Sequence, residues 1–172
     1  MDDIKAMMND RDMPDSQKLD MIDAYRRSID KEKLKISTGT KSENGLLSNY
    51  ILFSQNNVPV ILESEIYGGS YNISTTYYLF DEKPYYINGM MRDQFRQSGN
   101  FTHHEQVIYL DRRKVIMQLK RSETNTEDIR VDLSHVAFKD ITAGLVHPEV
   151  DAQENQNTVK KILTLVKEQN QK

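Results

Sequence analysis

Apolar residues recur at two different spacings along this chain, and the change from one to the other separates helical ends from a stranded middle. Leu19, Ile22, Tyr25, Arg26 and Ile29 stand three and four positions apart, with Asp20, Asp23, Arg27 and Lys31 between them. That spacing predicts an amphipathic helix over 15–34, started by Pro14-Asp15-Ser16. The basic run Lys31 to Lys35 then falls near its C-terminus, where the helix dipole favours positive charge. At the other end, Val159, Ile162, Leu163 and Val166 form a second stripe, which predicts a helix over 151–168 beyond the boundary at His147-Pro148. Residues 37–49 carry Ser, Thr, Gly, Lys and Asn with only Leu46 and Leu47 as apolar anchors, and read as a loop.

Strand-like alternation starts at Val58. Val58–Tyr67 and Tyr71–Phe80 flank Gly68-Gly69, and a two-residue turn there opposes Ile66 to Tyr71, Ser64 to Ile73, Leu62 to Thr75, Val60 to Tyr77 and Val58 to Leu79. One face of the hairpin is then apolar, which fixes the parity of the register. Asp81 to Pro84 form the next turn, returning Tyr85-Tyr86-Ile87 against Tyr77 to Phe80. This places Tyr77, Leu79 and Tyr86 on one face and Tyr78, Phe80, Tyr85 and Ile87 on the other. A helix or a loop over 89–104 is the expected cover for the second set, in preference to an exposed binding patch. Glu105–Asp111 and Lys114–Lys120 make another hairpin, pairing Leu110 with Val115, Ile108 with Met117 and Gln106 with Leu119. Arg112-Arg113 suits a positive-φ turn poorly, so a longer loop over Asp111 to Lys114 is expected. Ile129, Val131 and Leu133 alternate as a last short strand, and residues 134–148 fit strand, helix or loop. The expected class is α+β: one domain over 1–172, with a mainly antiparallel meander of about five to seven strands within 50–133 and both terminal helices packed on one face.

Composition narrows the function classes. The 172 residues hold 23 Lys+Arg against 26 Asp+Glu, a net charge of −3, so no global positive field gathers nucleic acid. With 37% hydrophobic and 28% charged residues the chain is expected to fold and dissolve, and no apolar run is long enough to span a bilayer. The absence of cysteine excludes disulfides, thiolate metal sites and cysteine nucleophiles in this chain.

Candidate chemistry is sparse. Ser37-Thr38-Gly39-Thr40-Lys41-Ser42 lacks the glycines of a phosphate loop. His103, His104 and Glu105 are the only local cluster that joins imidazole to carboxylate as metal-ligand chemistry, but position 108 is Ile108 where a helical zinc motif needs His, so they remain weak metal candidates. Glu63 and Glu65 share a strand face, as paired acid and base carboxylates would, and as any solvated face would. Aromatic excess carries more information: nine Tyr and no Trp, with Tyr77, Tyr78, Tyr85 and Tyr86 in one hairpin. The leading expectation is a non-catalytic protein-binding module, of inhibitor or immunity type, with Tyr78, Phe80, Tyr85, Arg112 and Arg113 contacting another protein and with no cofactor. The competing expectations are a metal- or carboxylate-dependent hydrolase without a local motif, and a small-ligand carrier marked by a sizeable apolar cavity.

The order Tyr77-Tyr78-Leu79-Phe80-Asp81-Glu82-Lys83-Pro84-Tyr85-Tyr86-Ile87, followed by Glu105 to Ile116, resembles the paired hairpins of small bacterial extracytoplasmic proteins of unknown function. The resemblance spans roughly Val58 to Lys120 and transfers no catalytic residues. It implies a periplasmic or lipoprotein-type origin, with this chain as a trimmed mature form; without such trimming the expected location is the cytoplasm.

Overall fold

The computed structural model describes residues 2–95, 99–126 and 131–171. Two helices lead, α1 over Asp2–Asn9 and α2 over Asp15–Ser28. Seven strands follow: β1 Lys35–Glu43, β2 Leu46–Gln55, β3 Val58–Tyr67, β4 Tyr71–Phe80, β5 Lys83–Phe95, β6 Asn100–Leu110 and β7 Val115–Asn125. A two-residue β8, Lys139–Asp140, and the long α3, Pro148–Asn170, complete the chain. The strands form one eight-stranded antiparallel sheet in sequence order, an α+β meander.

Residues that tolerate left-handed backbone make the tight turns. Asn44-Gly45, Asn56-Asn57 and Asp81-Glu82 all have positive φ, at 51° and 76°, 51° and 64°, and 53° and 60°. That is the geometry in which a two-residue hairpin turn matches strand twist. Gly68-Gly69 is not such a turn. The last pair of that hairpin is Tyr67 with Asn72, and the Gly68 N–H donates to the Tyr71 carbonyl at 2.9 Å across a wider loop. The register therefore differs by two residues from the expected one: Leu62 opposes Tyr77 and Ile66 opposes Ile73. A two-residue slip keeps every side chain on its face, so the apolar pattern was satisfied by both alignments.

Three β-bulges among the described strands break the alternation. Between the pairs Phe53–Ile61 and Ser54–Pro59 the extra residue is Val60; between Tyr78–Tyr86 and Leu79–Pro84 it is Tyr85; between Tyr109–Met117 and Leu110–Val115 it is Ile116. All three are buried. Counting past an inserted residue flips the faces beyond it, which corrects two expectations. Tyr86 shares a face with Tyr78, and Ile87 shares one with Tyr77. Met117 opposes Tyr109, and Ile108 opposes Gln118. The loop over Asp111 to Lys114 is as expected, closed by the Asp111 N–H donating to the Lys114 carbonyl at 3.1 Å.

The terminal helices lie on opposite faces of the sheet, not on one. Ala152, Val159, Leu163 and Val166 of α3 pack on Tyr50, Leu52, Leu62, Tyr77, Leu79 and Ile87. Ile4, Met7 and Met8 of α1 and Ile22 of α2 pack on Tyr85, Tyr86, Val107 and Ile116. Both faces of the tyrosine-rich strands are apolar, and each needs its own cover.

The ends depart further from expectation. Segment 37–49 is not a loop but the β1–β2 hairpin. Its outer strand is polar apart from the exposed Ile36, and the residue that meets α3 is Gly39, where an added Cβ would stand 3.0 Å from Val166 Cγ2. Helix α2 stops at Ser28, well short of residue 34, because Ile29 is extended and Asp30 accepts the Glu32 N–H to open a 3-10 turn over Lys31–Lys33. The expected loop over 89–104 is largely β5 and β6. Of the expected strand at 129–133, Ile129 and Arg130 lie outside the described residues, and Leu133 opens a 3-10 turn over Leu133–His135. The last helix runs Pro148–Asn170, longer at both ends than 151–168, with Pro148 in its first turn.

Candidate ligand-binding cleft

The turns that end β2, β4 and β6 all lie at one end of the sheet, and side chains lock the last two together. Arg112 donates to Asp81 at 3.0 Å, joining the β6–β7 loop to the β4–β5 turn. Lys167 of α3 reaches Glu82 in the same turn at 2.6 Å, and Gln156 of α3 donates to the Arg112 carbonyl at 3.1 Å. Beneath them Asp111 organises its loop, accepting the N–H groups of Arg113 at 2.8 Å and Lys114 at 2.9 Å and the ammonium of Lys18 at 3.0 Å. Burial raises the Asp111 carboxyl pKa, but these donors outweigh it and hold the group below the usual carboxylate value.

A cleft of about 570 Å³ opens between these tips and the first two helices. Val58, Pro59 and the bulged Val60 of β3, Leu79 and Phe80 of the neighbouring β4 and Tyr25 of α2 give it an apolar lining. Lys5, Gln55, Asn56, Asp81 and Arg112 supply its polar groups. The bulge matters here: it directs Val60 and Ile61 together toward the helix side, where Phe53 and Tyr78 meet them. Tyr25, which stands 5.6 Å from Tyr85 ring to ring, has its hydroxyl pKa raised by burial and stays a neutral donor.

Of the residues expected on a partner surface, the structure brings two to this cleft, Phe80 in its wall and Arg112 at its mouth. Tyr85 is fully buried and takes no part in a surface, because the bulge turns it under α1 and α2. Tyr78 is half-buried beside Tyr85 and Tyr86, with the Arg26 guanidinium over its ring at 6.0 Å. Arg113 turns to Asp111, at 3.5 Å, on a different side of the loop. The sequence reading missed Lys5, Tyr25 and the Val58-Pro59-Val60 wall. Only the Asn56-Asn57 turn signal before Val58 could have pointed to the last of these.

The weak metal candidates are divided by the pleat. Residues opposite one another share a face, so His104 stands with Met91 and Ile73 on the α3 side, and His103 and Glu105 stand on the other. Burial, Lys120 and His103 lower the His104 pKa against an opposing pull from Asp93. Glu105 accepts from Asn88 at 2.9 Å and from Arg121 Nε at 2.6 Å. Among the described residues no group of three or more His, Cys, Asp or Glu is arranged to hold a metal ion. The strand-face carboxylates are also engaged, Glu63 with Lys31 and Glu65 with the Tyr67 hydroxyl, each at 2.6 Å. No helix among the described residues is long and apolar enough to cross a membrane.

Comparison with family models, with curated proteins and with solved structures gives no match.

Proposed function

We propose that this protein is a non-catalytic binding protein, and that its ligand inserts an apolar body into the cleft between the hairpin tips and α1–α2. The observation that carries this reading is the cleft's size and lining together: about 570 Å³, with apolar walls and a few convergent polar groups. Small-molecule sites fall at roughly 300–1,000 Å³ with that kind of lining. Each methylene taken out of water there is worth about 0.8 kcal/mol, so a chain of modest length binds without any covalent chemistry. Val58, 53% exposed at the rim, is apolar surface that an occupant would cover.

The test uses N-phenyl-1-naphthylamine, a neutral dye that brightens in apolar sites. Wild type is expected to bind the dye, Val58→Trp to lose that binding by filling the wall, and Val146→Trp, at a residue 80% exposed and outside the cleft lining, to retain it. Absence of dye binding to wild type, or equal binding by Val58→Trp, would overturn the reading. Recovery of a protein partner that depends on Val58 and Arg112 would instead favour the inhibitor-type alternative.

A further inference from the structure

Resting on the cleft as the binding site, we propose that its ligand is an amphipath with a single anionic head, a carboxylate in the simplest case, held at the mouth by Arg112 and Lys5. The apolar body would then lie against Val58, Val60 and Phe80.

Charge at the mouth points this way. Two cations, Lys5 and Arg112, face one carboxylate, Asp81, among the lining residues. Lys5 has no ion pair with any described residue, and Asp81 engages only one nitrogen of Arg112, Nη2. A guanidinium carries five N–H donors in a planar fork, so Arg112 retains the geometry for a second carboxylate beside the first. Its position is also fixed before any ligand arrives, since α3 holds its carbonyl through Gln156 at 3.1 Å and Asp81 orients its head. Preorganised donors lose little entropy on binding. Lys5 brings a mobile charge from α1, so the two cations reach the mouth from the sheet side and the helix side.

Displacement of the bound naphthylamine dye by decanoate, decanol and decylamine tests the head group separately from the cleft. These three share a chain and differ in charge. Decanoate is expected to displace the dye at about tenfold lower concentration than decanol, the scale of one charge-assisted hydrogen bond, with decylamine the weakest. In Arg112→Gln/Lys5→Gln the ratio of decanoate to decanol should fall toward one. Equal displacement by decanoate and decanol in wild type, a preference that survives the double substitution, or a bound dye that none of the three displaces would each overturn the head-group proposal while the cleft stands. Failure of the dye itself to bind would overturn the cleft reading instead.

Discussion

Lys18 and Asp111 show what a single pair of residues does for this molecule. They meet at 3.0 Å, each about 1% exposed, and tie α2 to the β6–β7 loop that presents Arg112. Two charges taken out of water contribute little net stability while paired, but removing one partner strands the other at a cost of about 3–5 kcal/mol. Asp111→Leu should approach that range, because it leaves the ammonium and the N–H groups of Arg113 and Lys114 without their acceptor. Lys18→Met should cost less, since Asp111 keeps both N–H donors. Urea unfolding of the two variants checks the order. The pH dependence follows from the lowered Asp111 pKa. The stability it supplies is complete above the ordinary carboxylate value of about 4 and disappears as pH falls through the lower folded value. Wild type should therefore lose stability below about pH 4 more steeply than Asp111→Asn; parallel acid profiles would contradict this.

At the scale of elements, three hairpins repeat one device that the sequence conceals. Val60, Tyr85 and Ile116 each stand a few residues past a turn, each is an inserted residue, and each is buried toward α1 and α2. A bulge bends its strand and increases twist, and its recurrence beside every second turn shapes the end of the sheet that carries the cleft. The hairpins themselves were legible, because two-fold alternation survives small slips. The faces of Tyr86, Ile87 and Met117 were not, because no local signal marks an inserted residue. Strand β1 was missed despite the local Asn44-Gly45 turn signal, because its own residues are mostly polar and the side chains that cover its outer edge lie at the far end of the chain. Gln169 of α3 accepts the Thr40 N–H at 2.9 Å and donates to the Thr40 carbonyl at 2.8 Å, and Asn170 donates to the Thr38 carbonyl at 2.7 Å. One side-chain amide thus does what a neighbouring strand would do on an outer edge that could otherwise pair with another chain. Gln169→Ala/Asn170→Ala is expected to self-associate at concentrations where wild type does not. Sedimentation velocity across a concentration series reads the difference, and identical profiles would refute the guard role.

For the whole molecule, the sheet is the layer that both helical covers share. Ile22 of α2 and Leu163 of α3 lie on opposite sides of it, both buried, and neither cover can leave without exposing strands that the other also needs. Ile22→Ala and Leu163→Ala should each cost about 2–5 kcal/mol, and each should shift one cooperative transition seen alike by far-UV circular dichroism and by tyrosine fluorescence. Two separated transitions in either variant would show that the covers come away independently. The candidate site belongs to this scale too. Its lining comes from α1, α2, β2, β3, β4 and the β6–β7 loop, so Lys5 and Arg112 line one cleft only after all of these have packed.

The order of residues by itself determined the class, the helical ends, the meander and the apolar parity of its central hairpins, because those depend on the spacing of side chains along a few neighbouring turns. Tertiary structure alone decided which face each helix covers, where the strands bulge, how the outer edge of β1 is covered, and that Phe80 and Arg112 share a cleft while Tyr85 is withdrawn beneath the helices. Those outcomes turn on contacts between residues far apart in the chain, Thr40 with Gln169, Lys18 with Asp111 and Arg112 with Asp81, whose energies no local pattern carries.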